Sequence, residues 1–179
     1  MKVRVNKNEK VVEWNVGEKI ITIYNEHVLY AFKHGKNMLM IKEKHDTLGI
    51  GFSTYDIEGG LVFSYKYMGN CVTFRGVDID IMNGAIISAD YEEEKEKLVI
   101  LIDKGKIRSL LIYDEQGDFI SEIVSPIDYT FVSLKNNAGK IIVVAQGTND
   151  TTRDLFGRND WDFVIDFENF YVEKKSITQ

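Results

Sequence analysis

Between Gly147 and Phe163 the chain reads GTNDTTRDLFGRNDWDF, the stretch richest in side chains that could do chemistry together. Asp150, Asp154, Asp160 and Asp162, with Asn149 and Asn159, surround two aromatic residues, Phe156 and Trp161. An oxygen-rich set of this kind could hold Ca²⁺, but its spacing departs from the D-x-[DN]-x-[DN]-G loop in which alternate residues converge on the ion. No metal is expected. Aromatic rings framed by carboxylates could instead anchor a basic protein partner, the rings supplying buried area and the acids orientation. The partner-binding set is therefore Asp150, Asp154, Phe156, Asp160, Trp161 and Asp162. Long loops on β scaffolds commonly carry function. The competing reading makes Trp161 the start of a core strand and leaves the loop simply solvated.

Other candidate chemistry is weaker. Asp78 and Asp80 in GVDIDIMNG alternate with isoleucine, so both lie on one strand face, where paired carboxylates could serve a glycosidase. A solvent-facing strand predicts the same pattern. His27, His34 and His45 stand in no HxH, HExxH or Cys-His spacing, which argues against zinc. His45-Asp46 could be an acid/base pair, although its polar surroundings read as a surface connection. GIGFST (49–54) lies within a strand with no helix behind it to cradle a phosphate. The single cysteine, Cys71, cannot form an intramolecular disulfide, sits in the apolar run CVTF, and reads as a buried, inert thiol. No catalytic residue and no cofactor is expected, and the chain is read as a non-enzyme.

The elements that must position the loop are strands. Isoleucine and valine number 37 against 15 alanines and leucines, a bias toward stiff β-branched side chains. Short β-rich runs recur between glycine, asparagine and aspartate: KIITIY, HVLYAFK, NMLMIK, LVFSYK, KLVILID, IRSLLIYD, YTFVSLK, KIIVVAQG and WDFVIDF. YEEEKEK (91–97) is too short for a stable helix and reads as a charged hairpin loop or one turn. Three of the turns align, VNKNEKVV (5–12), YDIEGGLV (55–62) and YDEQGDFI (113–120), with WDFVIDFENFYVEKK as a degenerate fourth copy. Asp114 can cap its bend, and Gly117 can take the left-handed conformation of a short hairpin loop.

The phrases Tyr55–Tyr65 and Tyr113–Ile123 resemble the "YDxxGxxxxxI" hairpin that ends the blades of β-propeller repeat proteins. That resemblance implies one all-β domain over 1–179, built as about three antiparallel four-stranded units plus an N-terminal half. Too few units are present for a common propeller ring, so the arrangement is partial or completed by a homo-oligomer. A β-trefoil and an irregular barrel or sandwich are the alternatives.

Charge narrows the partner. Residues 1–89 carry eleven basic and ten acidic groups, and residues 90–179 carry eleven and eighteen. Without a basic stripe, nucleic acid is not an expected partner, whereas a basic protein would be drawn to the acidic half. The N-terminus lacks an apolar leader, no run is long enough to span a membrane, and a lone cysteine suits a reducing cytoplasm. These features point to a protein-binding module of inhibitor or immunity type. A lectin-like carbohydrate-binding module and, more weakly, a hydrolase using paired aspartates are the alternatives.

Overall fold

The computed structural model describes residues 1–45 and 49–178, and its regular structure there is β-strand apart from one 3₁₀ turn. Within each sheet the strands pair antiparallel with their neighbours in sequence. Among the described residues four open sheets result and none closes into a barrel, which removes the trefoil and closed-barrel alternatives. The chain divides into two compact units, 1–81 and 82 onward, a boundary that coincides with the change in charge. Residues 1–81 carry 11 basic and 10 acidic groups, hence +1; the remainder of the −6 total is −7.

In the first unit, β1 (Val3–Asn6), β2 (Val11–Val16) and β3 (Lys19–Tyr24) form a three-stranded sheet. The six-stranded sheet runs β4 (Val28–His34), β5 (Met38–His45), β6 (Gly49–Asp56), β7 (Leu61–Lys66), β8 (Cys71–Phe74) and β9 (Val77–Asp80). Period-two alternation on β2 turns Val12 and Trp14 inward, where they meet Ile21, Leu39 and Ile41 between the two sheets.

The second unit holds two four-stranded sheets. One comprises β10 (Ala85–Glu92), β11 (Lys97–Asp103), β12 (Arg108–Tyr113) and β13 (Phe119–Val124). The other comprises β14 (Tyr129–Asn137), β15 (Lys140–Gly147), β16 (Asp160–Asp166) and β17 (Tyr171–Ile177). Val99, Leu101, Leu110 and Ile112 of the first pack with Phe131, Val143, Phe163 and Ile165 of the second. The two buried carboxylates here are satisfied: Asp90 accepts from Asn136 at 3.0 Å and Glu92 from the Ile141 amide, burial pushing the Glu92 carboxyl up. The four-strand count thus describes the second half, while the first divides as three and six. YEEEKEK is a hairpin turn, with Glu96 left-handed at φ 53°.

The echoed phrases prove identical in register. Tyr55 pairs Leu61 and Thr54 pairs Phe63; Tyr113 pairs Phe119 and Ile112 pairs Ser121. Each hairpin therefore carries the same one-residue bulge beside its turn. Among the described residues no helix is long and apolar enough to cross a membrane.

Candidate functional site

Asp154 sits at the head of a five-residue turn that the chain has already built twice. Its Oδ1 accepts from the amides of Phe156 (2.9 Å) and Arg158 (2.8 Å), its own amide donates to the Arg158 carbonyl (2.9 Å), and the Gly157 amide donates back to its carbonyl (3.0 Å). At Asp56 the corresponding four distances are 2.8, 2.9, 2.9 and 3.2 Å. At Asp114 they are 3.0, 2.8, 3.0 and 3.2 Å. Gly59, Gly117 and Gly157 close the three turns at φ 96°, 87° and 76°, a left-handed conformation that costs a side-chain-bearing residue free energy.

What differs is the tip. The two residues after the aspartate are Ile57-Glu58 and Glu115-Gln116 in the hairpins but Leu155-Phe156 in the loop. Leu155 is 100% exposed and Phe156 82%. Single exposed apolar side chains are ordinary on a folded surface, as Ile127 and Met82 are here, but they mark contact sites when they cluster, as the adjacent Leu155 and Phe156 do. The Asp56 turn, by contrast, is covered: buried Trp14 donates its indole N–H to the Ile57 carbonyl at 2.8 Å, and a Cβ on Gly59 would lie 2.9 Å from Ile21 Cγ2. Around Gly157 a Cβ would meet nothing within 4 Å.

That asymmetry makes a stability prediction. Gly157→Ala is expected to cost about 1 kcal/mol, the left-handed penalty alone. Gly59→Ala should cost about 1–3 kcal/mol more, because its Cβ must also displace Ile21. Denaturant unfolding of the two variants measures the difference, and equal losses would contradict it.

A polar knot closes the base of the loop. The Gly147 amide donates to the Asn159 carbonyl (2.9 Å), and Asn159 Nδ2 donates to the Gly147 carbonyl (2.7 Å). The Thr152 hydroxyl lies 2.6 Å from the Asn149 carbonyl and 3.1 Å from Asn159 Oδ1. Asn149 caps the 3₁₀ turn Asp150–Thr152, accepting from the Thr151 amide and hydroxyl. Trp161 then donates its indole N–H to the Thr152 carbonyl at 2.7 Å. The loop is therefore fixed on β15 and β16 rather than hanging from them.

The six residues singled out in the sequence divide by environment. Phe156 is at the tip, with the Arg158 guanidinium 5.4 Å from its ring centroid. Trp161 is half-buried on β16, packs against the core, and carries the Lys174 ammonium 3.3 Å from its ring centroid. Asp154 is committed to its own turn and to Arg158, at 2.8 and 2.7 Å. Asp150 pairs with Arg153 at 3.2 Å, and Asp162 accepts from the Thr178 hydroxyl at 2.6 Å with Lys135 at 3.8 Å. Asp160 meets Gln146 at 3.3 Å. The carboxylates thus build the loop, and its own cations meet several of them. Sequence reasoning passed over Leu155, Arg153 and Arg158, although DLFG (154–157) repeats the D-x-x-G of DIEG and DEQG.

The Asp154 turn should be acid-sensitive. Burial pushes its carboxyl up, but the Arg158 amide and guanidinium and the Phe156 amide outweigh that and hold it below the ordinary value. A carboxyl depressed in this way stabilises the turn above the unfolded aspartate value of about 3.9 and loses that contribution as pH falls through the folded value. Exchange protection of the Phe156 and Arg158 amides is expected to fall in that window. Asp154→Asn should remove the pH dependence, and unchanged protection in the wild type at low pH would contradict the assignment.

The other candidate sites are answered by geometry. Asp78 lies on edge strand β9 and accepts from the Thr73 hydroxyl at 2.7 Å. Cys71, half-buried opposite Asp80, has its thiol pushed up by burial and by the Asp78 and Asp80 carboxylates, the reverse of an activated nucleophile. His45 ends β5 rather than lying in a surface loop, and meets Glu43 at 3.0 Å and the His27 ring at 4.2 Å. Glu43 is further tied to Ser53 (2.6 Å) and Asn25 (2.8 Å). Glu43, His45 and Ser53 line a cleft of about 370 Å³ with Cys71 and Asp78. Asp78 and Asp80 are both exposed on β9, opposite Thr73 and Cys71 of β8, as the alternation implied. Asp46 lies outside the described residues. Gly49–Asp56 is a strand, as GIGFST implied, and among the described residues no group of three or more His, Cys, Asp or Glu is arranged to hold a metal.

No protein-family model matches the chain, and no curated protein matches it. The loop must therefore be read from its own chemistry.

Proposed function

We propose that the chain is a non-enzymatic protein-binding module whose anchor is the Leu155-Phe156 tip of the Asp154 turn. One observation carries this reading: a turn the chain repeats with polar or covered tips elsewhere bears two exposed apolar side chains here, on a loop knotted to its scaffold. A rigid knob loses little conformational entropy on docking, so more of its buried area is available as affinity. The −7 charge of residues 82–179 favours a basic partner, and an inhibitor or immunity-type protein that neutralises such a partner in the cytoplasm fits these features. The blade-like four-stranded sheets β10–β13 and β14–β17, with the YDxxG hairpin, support a propeller-like scaffold behind the knob.

Charge and anchor are separable by experiment. With the chain as bait, partner retention is expected to fall as salt rises from low to several hundred millimolar, because screening weakens exposed charge attraction. Salt-independent retention would leave the apolar tip as the determinant and remove the basic-partner reading. A carbohydrate-binding role has one observation in its favour, the exposed Tyr30 and Phe32 rings 5.9 Å apart on β4 with Lys42 above Tyr30. Retention on an immobilised glycan that Tyr30→Ala abolishes would favour it.

A further inference from the structure

One hairpin of the acidic unit is locally basic. In DKGKIR (103–108) the β11–β12 hairpin places Lys104, Lys106 and Arg108 against a single aspartate. Beside it lies a cleft of about 440 Å³ lined by Lys104, Lys106, Ile107, Ser109, Glu122 and Val124. Ile107 is 52% exposed and Val124 51%, so the cleft presents half-exposed apolar groups beside lysines. Lys104 is held there by Glu122 at 2.7 Å, and Lys106 stands next to the left-handed Gly105 at the hairpin bend.

This cleft complements the Asp154 turn. The turn offers two apolar side chains on a segment, 147–163, whose four aspartates and two arginines sum to −2; Arg153 and Arg158 meet Asp150 and Asp154, so the excess lies with Asp160 and Asp162 at its base. The cleft has apolar walls, a cationic rim and room for a leucine and a phenylalanine side chain. Leu155 is fully exposed, so the turn is not seated in its own chain. We propose that the Leu155-Phe156 tip of one copy docks into the Lys104–Val124 cleft of a second copy. The proposal rests on reading 154–158 as a docking turn and names the surface that occupies it. Knob and cleft are different surfaces of one chain, so the contact is head-to-tail and extends into short chains unless its rotation closes a ring. A basic partner protein would compete for the same tip.

A complementation experiment tests this. Sedimentation velocity of the full chain at rising concentration, up to about 1 mM because the contact is small, should show a mass that grows with concentration and falls on raising salt. Leu155→Ser/Phe156→Ser and Ile107→Glu/Val124→Glu alter exposed residues, and each variant alone should be monomeric. Mixed one to one, they retain one intact knob and one intact cleft, and should form a dimer that grows no further. A monomeric wild type, or a mixture that stays monomeric, overturns the self-docking proposal. Neither result touches the docking-turn reading, which fails only if a captured partner binds the Leu155→Ser/Phe156→Ser variant undiminished.

Discussion

Trp14→Ala is expected to lower the unfolding free energy by about 3–5 kcal/mol, the usual range for removing a fully buried large aromatic side chain. Trp14 is 0% exposed and lies between the three- and six-stranded sheets with Val12, Ile21, Leu39 and Ile41 around it. Its indole N–H is also the donor to the Ile57 carbonyl, so the substitution leaves a cavity and releases the Asp56 turn from β2. Trp14→Phe separates the two effects: it keeps most of the apolar area and should lose about 1 kcal/mol for the hydrogen bond, plus some packing. Denaturant midpoints measure both. A loss below about 1 kcal/mol for the alanine variant would mean that Trp14 does not hold this unit together.

Gly147→Ala should disrupt the 147–163 loop more than any change at its tip. A Cβ at this position would fall on the Thr152 hydroxyl and the Asn159 carboxamide, the two side chains that close the loop base. Neither is a flexible far end: Asn159 is bonded to the Gly147 carbonyl and Thr152 to Asn149. Overpacking of this kind typically costs about 1–3 kcal/mol, and here part of the relief must come from moving the 3₁₀ turn. The two tryptophans provide the readout, since Trp161 donates to Thr152 and Trp14 to Ile57. The Trp161 indole N–H resonance should shift or broaden while that of Trp14 stays in place. A variant in which both resonances are unchanged would contradict the knot.

Much of this was legible in the sequence because turns announce themselves. Asp114 and Gly117 do what their types imply, and the matched bulges at Tyr55 and Tyr113 make the repeated phrase a structural repeat. Edge strands were harder to read. YVEKKSI, legible only through the degenerate fourth copy WDFVIDFENFYVEKK, is β17, whose lysines and glutamate suit an exposed edge and break the apolar alternation by which strands are recognised. CVTF is four residues long, too short to show a period, whereas the alternation read in GVDIDIMNG is that of β9. In the loop, the acids drew notice through their charge, yet most are consumed by neighbouring amides, hydroxyls and arginines. Leu155 drew none, because a lone leucine in a polar run reads as a buried residue until the turn around it is known.

The central claim is that the Leu155-Phe156 tip, and not acidity alone, captures a partner. Parallel co-purification from the producing cells, with wild-type bait, Leu155→Ser/Phe156→Ser bait and bait neutralised at Asp150 and Asp160, tests it directly. The tip variant is expected to retain less than about a tenth of the wild-type partner, a loss of 1.4 kcal/mol or more. The neutralised bait should lose less and lose it mainly at low salt. A partner held equally by wild type and tip variant would contradict the account.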